Sequence, residues 1–145
     1  MTLPEGFSSM LRVDTAFLLI ASACLIVGTS MGIAMGVAHD FQFAPVHAHL
    51  NLLGWASLAL FGLTYRAYPM LANSRIALIH LAVSGVSALM FPAGIYFSIA
   101  HGAPGLAIGA SLLWFVGAVL FFANLVRTFV FAPTVRAPES RRALA

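Results

Sequence analysis

From Thr15 to Ala38 the chain carries no charged side chain, and three more apolar runs follow. They extend from about Phe43 to Leu63 and on to Tyr68, from Ile76 to Ala100, and from Gly105 to Val126 and on towards Ala132. Each reaches or exceeds the ~20 residues that a helix needs to cross a ~30 Å hydrocarbon layer. Backbone polar groups in lipid must be paired within the structure, so helices are the expected form. The short alternating segments of a β-barrel do not occur. The chain is 61% hydrophobic and only 8% charged, against about a quarter charged in a soluble domain, and its mean hydropathy is +1.00. The reading is an all-α membrane protein with four transmembrane helices. Residues 1–132 form its single domain, and residues 133–145 form a flexible, basic tail.

The breaks between runs are short: "HDFQFAP" (His39–Pro45), "RAYPMLANSR" (Arg66–Arg75) and "HGAPG" (His101–Gly105). The segment Met1–Arg12 has no long apolar core, so no cleavable signal peptide is expected; the first span can serve as an uncleaved signal. All seven basic residues are arginines. Arg12, Arg66, Arg75, Arg127, Arg136, Arg141 and Arg142 fall on one side of a four-span chain, and the two opposite loops contain none. The positive-inside rule then puts both termini in the cytoplasm of a bacterial cytoplasmic membrane. The basic charge is accounted for by topology, and no nucleic-acid partner is expected. The one cysteine, Cys24, lies mid-span and reads as a small buried hydrophobe, with no CxxCH motif for covalent haem attachment.

The polar residues inside the spans carry the functional signal. Gly28, Gly32 and Gly36 are four apart in the first span and stack on one side, for packing within the unit or against a second copy. In the second span His47, Asn51 and Gly54 share a face that Leu58 continues. His49 points ~200° away from His47 on an α-helix, so the two rings serve different neighbours. Imidazole suits zinc, copper, nickel and iron. The spans offer almost no carboxylate or thiolate to complete a bare-metal site, since Asp14 and Asp40 sit at span ends. A haem brings its own four nitrogens and needs one or two axial histidines in an apolar slot. Ionisable residues within a membrane are site residues by default, against the ordinary alternative of two neutral, hydrogen-bonded rings near the interface.

The segment "VHAHLNLLGWASLALFGLTYRAYPML" (Val46–Leu71) resembles the tenth helix of the catalytic subunit of haem-copper oxidases, in the branch of the C-type oxidases and nitric oxide reductases. The third span, "IALIHLAVSGVSALMFPAGIYFSIAHG", is similar to their eleventh helix. The resemblance covers about half the chain and implies that His47 binds a high-spin and His49 a low-spin haem. It also implies an assembly, because that subunit arranges twelve helices as three arcs of four. A homotrimer of this chain would supply twelve. His49 of one protomer and His47 of the next would then hold one haem b across each interface, with the glycine stripe of the first span at the seam. Membrane lipid and a redox partner protein or quinone complete the expected partners.

The departures from that family are specific. No His-His pair is present, so copper and complete oxidase activity are not expected, and the loop His101–Gly105 lacks the arginine pair that meets the haem propionates. His39 and His101 are the substitutes available for that role, unless they are solvated loop histidines. Trp55 is placed to pack on a porphyrin face or edge, although core packing is the ordinary role for it and for Trp114. Tyr65 and Arg66 read as interfacial anchors. His80 lies ~15 Å of depth from His49, whereas two axial nitrogens on one iron are ~4 Å apart. His80 is therefore expected to pack or hydrogen-bond. The competing functions are an oxygen or nitric oxide reductase-like enzyme, a metal or small-molecule transporter using the His pair, and a structural subunit of a larger oxidase.

The orientation has a direct check. In a Cys24→Ala background, a cysteine placed at Gln42 should react with a membrane-impermeant maleimide added outside intact cells, and one at Asn73 only after lysis. The opposite pattern would invert the assignment.

Overall fold

A computed structural model describes residues 12–131. It is helical, with no strand among the described residues, and has four helices long and apolar enough to cross a membrane: Val13–Ala38, Ala44–Ala67, Arg75–His101 and Gly105–Phe129. The tail expected over 133–145 lies outside the described residues.

The helix ends follow local chemistry. The first helix starts at Val13, two residues before the charge-free run, because Asp14 is buried at 4% exposure and pairs with Arg12 at 3.1 Å. A carboxylate there also complements the positive end of the helix dipole. The helix stops at His39, which takes the left-handed conformation (φ 52°) while its N–H and that of Asp40 close on Gly36 and Met35. Pro45 lies in the first turn of the second helix, where its missing N–H is no loss. Pro69 opens a single turn of helix, Pro69–Ala72, after extended Tyr68. Ser74 caps the third helix, its Oγ accepting from Ala77 N–H at 3.1 Å. Gly102 ends it at φ 65°, a conformation that disfavours residues with a Cβ.

The second helix is not uniform. Ala44–His49 and Leu58–Ala67 are α-helical, but Leu50–Ser57 between them is a π-helix. Ser57 Oγ donates to the Leu52 carbonyl, five residues back, at 2.8 Å. Such wide turns are rare and concentrate at functional sites.

Small residues open the seams between the first and second and between the third and fourth helices, as expected where lipid provides no hydrophobic drive to associate. The third and fourth helices pack most extensively, the first lies along the second, and the fourth packs chiefly on the third. A Cβ on Gly94 would meet the backbone of Ala107, and one on Gly117 would meet the hydroxyl of Ser84. Gly62 receives the backbone of Asp14 and the side chain of Phe17, and Gly54 receives Cys24. Gly28 and Gly32 face Asn51 and His47 of the same chain, so these members of the glycine stripe serve packing within the unit. Gly36 has open space around it. The core at the arginine-bearing end gathers Phe17, Leu58, Tyr65, Leu71 and Ala77, with Trp114 packed against it.

Gly94→Leu should overpack the seam between the third and fourth helices at a cost of ~1–3 kcal/mol, read as a lower unfolding midpoint in detergent. Gly109→Leu, whose Cβ meets nothing within 4 Å, should be close to neutral. Equal midpoints would remove the seam.

Candidate functional site

Three histidines lie inside the spans and a fourth, His101, ends the third span; hydrogen bonding and burial sort the inner three into two kinds. His47 Nδ1 is 2.8 Å from the Gly28 carbonyl of the first helix. A carbonyl only accepts, so Nδ1 carries the proton, and the neutral ring has its lone pair on Nε2. Asn51 Nδ2 also lies 3.3 Å from Nδ1, but that contact has no free acceptor, and the amide instead donates to the His47 carbonyl at 2.9 Å. His49 repeats the pattern on the other flank. Its Nδ1 donates to the Pro45 carbonyl at 2.8 Å, while its ring packs on Phe91 of the third helix with centroids 4.9 Å apart. Neither Nε2 has a hydrogen bond among the described residues, and neither counts among the buried polar atoms lacking a partner. Both therefore open onto the surface of the chain with a lone pair available.

The two rings point to different flanks because both residues lie in the α-helical stretch Ala44–His49. His47 faces the first helix and His49 the third. Asn51 and Gly54 share the His47 side, against Gly28 and Cys24. The close approach of Gly32 makes room for the His47 ring, since a Cβ there would come 2.7 Å from Cε1.

His80 is the other kind. It is fully buried, and its Nδ1 is hydrogen-bonded to Tyr65 Oη, 3.0 Å away. Tyr65 in turn faces Asn124 Nδ2 at 3.5 Å, and that amide also donates to the Leu71 carbonyl at 3.1 Å. Ser74 Oγ completes the network by donating to Asn124 Oδ1 at 3.0 Å. Nε2 is buried without a partner amid the rings of Phe17, Phe61 and Phe121. His80 thus has no exposed nitrogen to offer a metal, and its hydrogen-bonding role agrees with the depth argument.

The remaining candidates are placed as follows. His39 and His101 are both exposed at the end of the molecule that carries His47 and His49. Among the described residues no hydrogen bond or ring contact joins them to that pair; His101 instead lies near Tyr96 and Phe97. Trp55 is 41% exposed and is not a core residue, whereas Trp114 does pack on the core. Tyr65 is not an interfacial anchor: it is 1% exposed, held inside by His80 and Asn124. Its partners come from sequence separations of 15 and 59 residues, so no local pattern announced them. Among the described residues no three His, Cys, Asp or Glu side chains converge, so one chain offers isolated imidazoles.

Tyr65→Phe removes the hydroxyl that bonds His80 and should destabilise the fold by ~0.6–1.7 kcal/mol, the range of hydrogen bonds between membrane helices. Chemical or thermal unfolding in detergent measures this, and an unchanged midpoint would deny the network a structural role. No protein-family model matches the chain, and no curated protein or solved structure matches it either.

Proposed function

We propose that this chain is a b-type haem protein of a bacterial cytoplasmic membrane, with both termini inside, that assembles as a homotrimer and transfers electrons. His47 of one protomer and His49 of its neighbour hold a low-spin haem near the outer leaflet. The observation that carries this reading is the shared tautomer of the two rings. Each Nδ1–H is committed to a backbone carbonyl, which fixes the ring and leaves Nε2 open. Metal-ligating histidines have this arrangement, and the bond from Nδ1–H raises the basicity of the ligating nitrogen.

The geometry also favours a site shared between chains. Two imidazoles on opposite flanks of one helix cannot hold the same iron, but each can complete a site begun by another copy. Head-to-tail contacts of this sort close into a ring when the rotation allows. Leu52 and Trp55 remain exposed on the second helix at 63% and 41%, available to a neighbour or a porphyrin edge. The resemblance of Val46–Leu71 to the haem-bearing helix of haem-copper oxidases points to the same pair. Iron held by two imidazoles supplies one-electron chemistry with no open coordination position. His47 and His49 would set the plane and potential of the group. Gly32 would keep the His47 ring in place, and the surrounding Leu, Phe and Trp side chains would exclude water. A quinone or a redox protein is the partner class such a group requires.

The purified protein should show a reduced-minus-oxidised spectrum of low-spin b-type haem that carbon monoxide leaves unchanged, on a particle with the mass of three chains. His47→Ala and His49→Ala should each abolish or convert it, and His80→Ala should not. Gly32→Val, which crowds the His47 ring, should weaken haem retention by ~10–100-fold, the scale of lost ligand positioning. Carbon monoxide binding would favour the oxygen or nitric oxide reductase reading. Bound zinc or copper without haem would favour transport. A haem lost only with His80 would refute the assignment.

A further inference from the structure

At the opposite end from the histidine pair, the helix ends border a half-open cavity of about 410 Å³. Arg12, Arg66 and Arg75 line it, together with Ser74, Tyr65 and a single carboxylate, Asp14. Asp14 is buried and already paired with Arg12 at 3.1 Å. Arg66 and Arg75 make no ion pair among the described residues. Three arginines thus line one hollow against one carboxylate among the described residues, an excess of two positive charges. The third helix begins at this hollow with no acidic residue in its first turn, so its dipole adds to the positive potential. The topological use of the arginines does not require them to surround a cavity, because residues of one leaflet can be spread around the whole rim.

We infer that this cavity is a binding site for a phosphate-bearing anion. Guanidinium groups match phosphate oxygens through paired, charge-assisted hydrogen bonds, and basic hollows between helices on the cytoplasmic side of a membrane suit anionic headgroups. The volume falls in the range of small-molecule sites. The hollow also has apolar walls from Pro69 and Leu78 beside its arginines. A lipid phosphodiester and a free phosphate would both satisfy the arginines; the apolar walls would meet the glycerol and upper acyl carbons of a lipid. Neither case depends on haem.

The test uses the full chain in detergent and three probes: phosphatidylglycerol, diacylglycerol and inorganic phosphate. Native mass spectrometry counts retained lipid, and the unfolding midpoint reports binding of each probe. Phosphatidylglycerol should be retained and raise the midpoint, while diacylglycerol should do neither. Arg66→Gln with Arg75→Gln should weaken phosphatidylglycerol binding by about tenfold or more, through the loss of charge-assisted hydrogen bonds. Should that pair fail to fold, Arg66→Lys with Arg75→Lys keeps the charge and removes the planar fork, and it should also bind measurably more weakly. A midpoint raised by inorganic phosphate, and sensitive to the same substitutions, would identify free phosphate as the ligand. Binding indifferent to the substitutions, or equal for diacylglycerol and phosphatidylglycerol, would overturn the site.

Discussion

A backbone carbonyl accepting a hydrogen bond from Nδ1–H is the interaction on which the end of the molecule that carries His47 and His49 depends. An imidazole in an apolar surrounding needs a partner for its N–H, because a buried donor left unpaired loses its hydration without compensation. His47 obtains that partner from Gly28 on the adjoining helix, and His49 from Pro45 one turn back on its own. The two solutions differ, yet both leave the same nitrogen open. His80 shows the contrast: its Nδ1 meets the Tyr65 hydroxyl, its Nε2 is buried, and the ring becomes a structural element within a cluster of aromatic side chains. Residue type alone therefore does not distinguish a histidine with an open nitrogen from a core histidine; its partners and its burial do.

The glycines make this sorting possible. Gly28 and Gly32 admit the Asn51 and His47 side chains to the surface of the first helix, and the same economy of bulk joins the third helix to the fourth. Polar groups at the arginine-bearing end are handled differently, by a network in which Ser74, Asn124, Tyr65 and His80 pair with one another across three helices and a turn. One end of the molecule is thus held by side chains that pair with one another, with His80 Nε2 left buried and unpaired, while the other leaves two ring nitrogens open.

Much of the fold was legible because hydrocarbon imposes a length and forbids charge. The spans match their apolar runs to within a few residues, and the deviations have causes, as when Asp14 extends the first helix by pairing with Arg12. The shared face of His47, Asn51 and Gly54 was also legible, since helical spacing sets it. Burial was less so. Tyr65 stands beside Arg66 in a segment that reads as interface, but a partner 59 residues away draws it inside. Trp55 has the composition of a core residue and faces out. The π-helix left no trace in composition, because it alters which carbonyl each N–H meets and not which residues are present. The arginines announced topology and concealed the cavity, because their convergence depends on how the short turn after the second helix folds back.

The wide turns of Leu50–Ser57 begin directly after His49. An α-helix advances ~100° for each residue, and a π segment arises where one residue too many is accommodated between two α-helical phases. The stretch bearing the imidazoles and the stretch bearing Leu58 are consequently clocked apart, like two shafts joined by a coupling. An unbroken α-helix of the same sequence would carry the ring pair ~100° round while Leu58 and Tyr65 stayed seated. The azimuth of the histidines is therefore set separately from the bedding of the helix in its core.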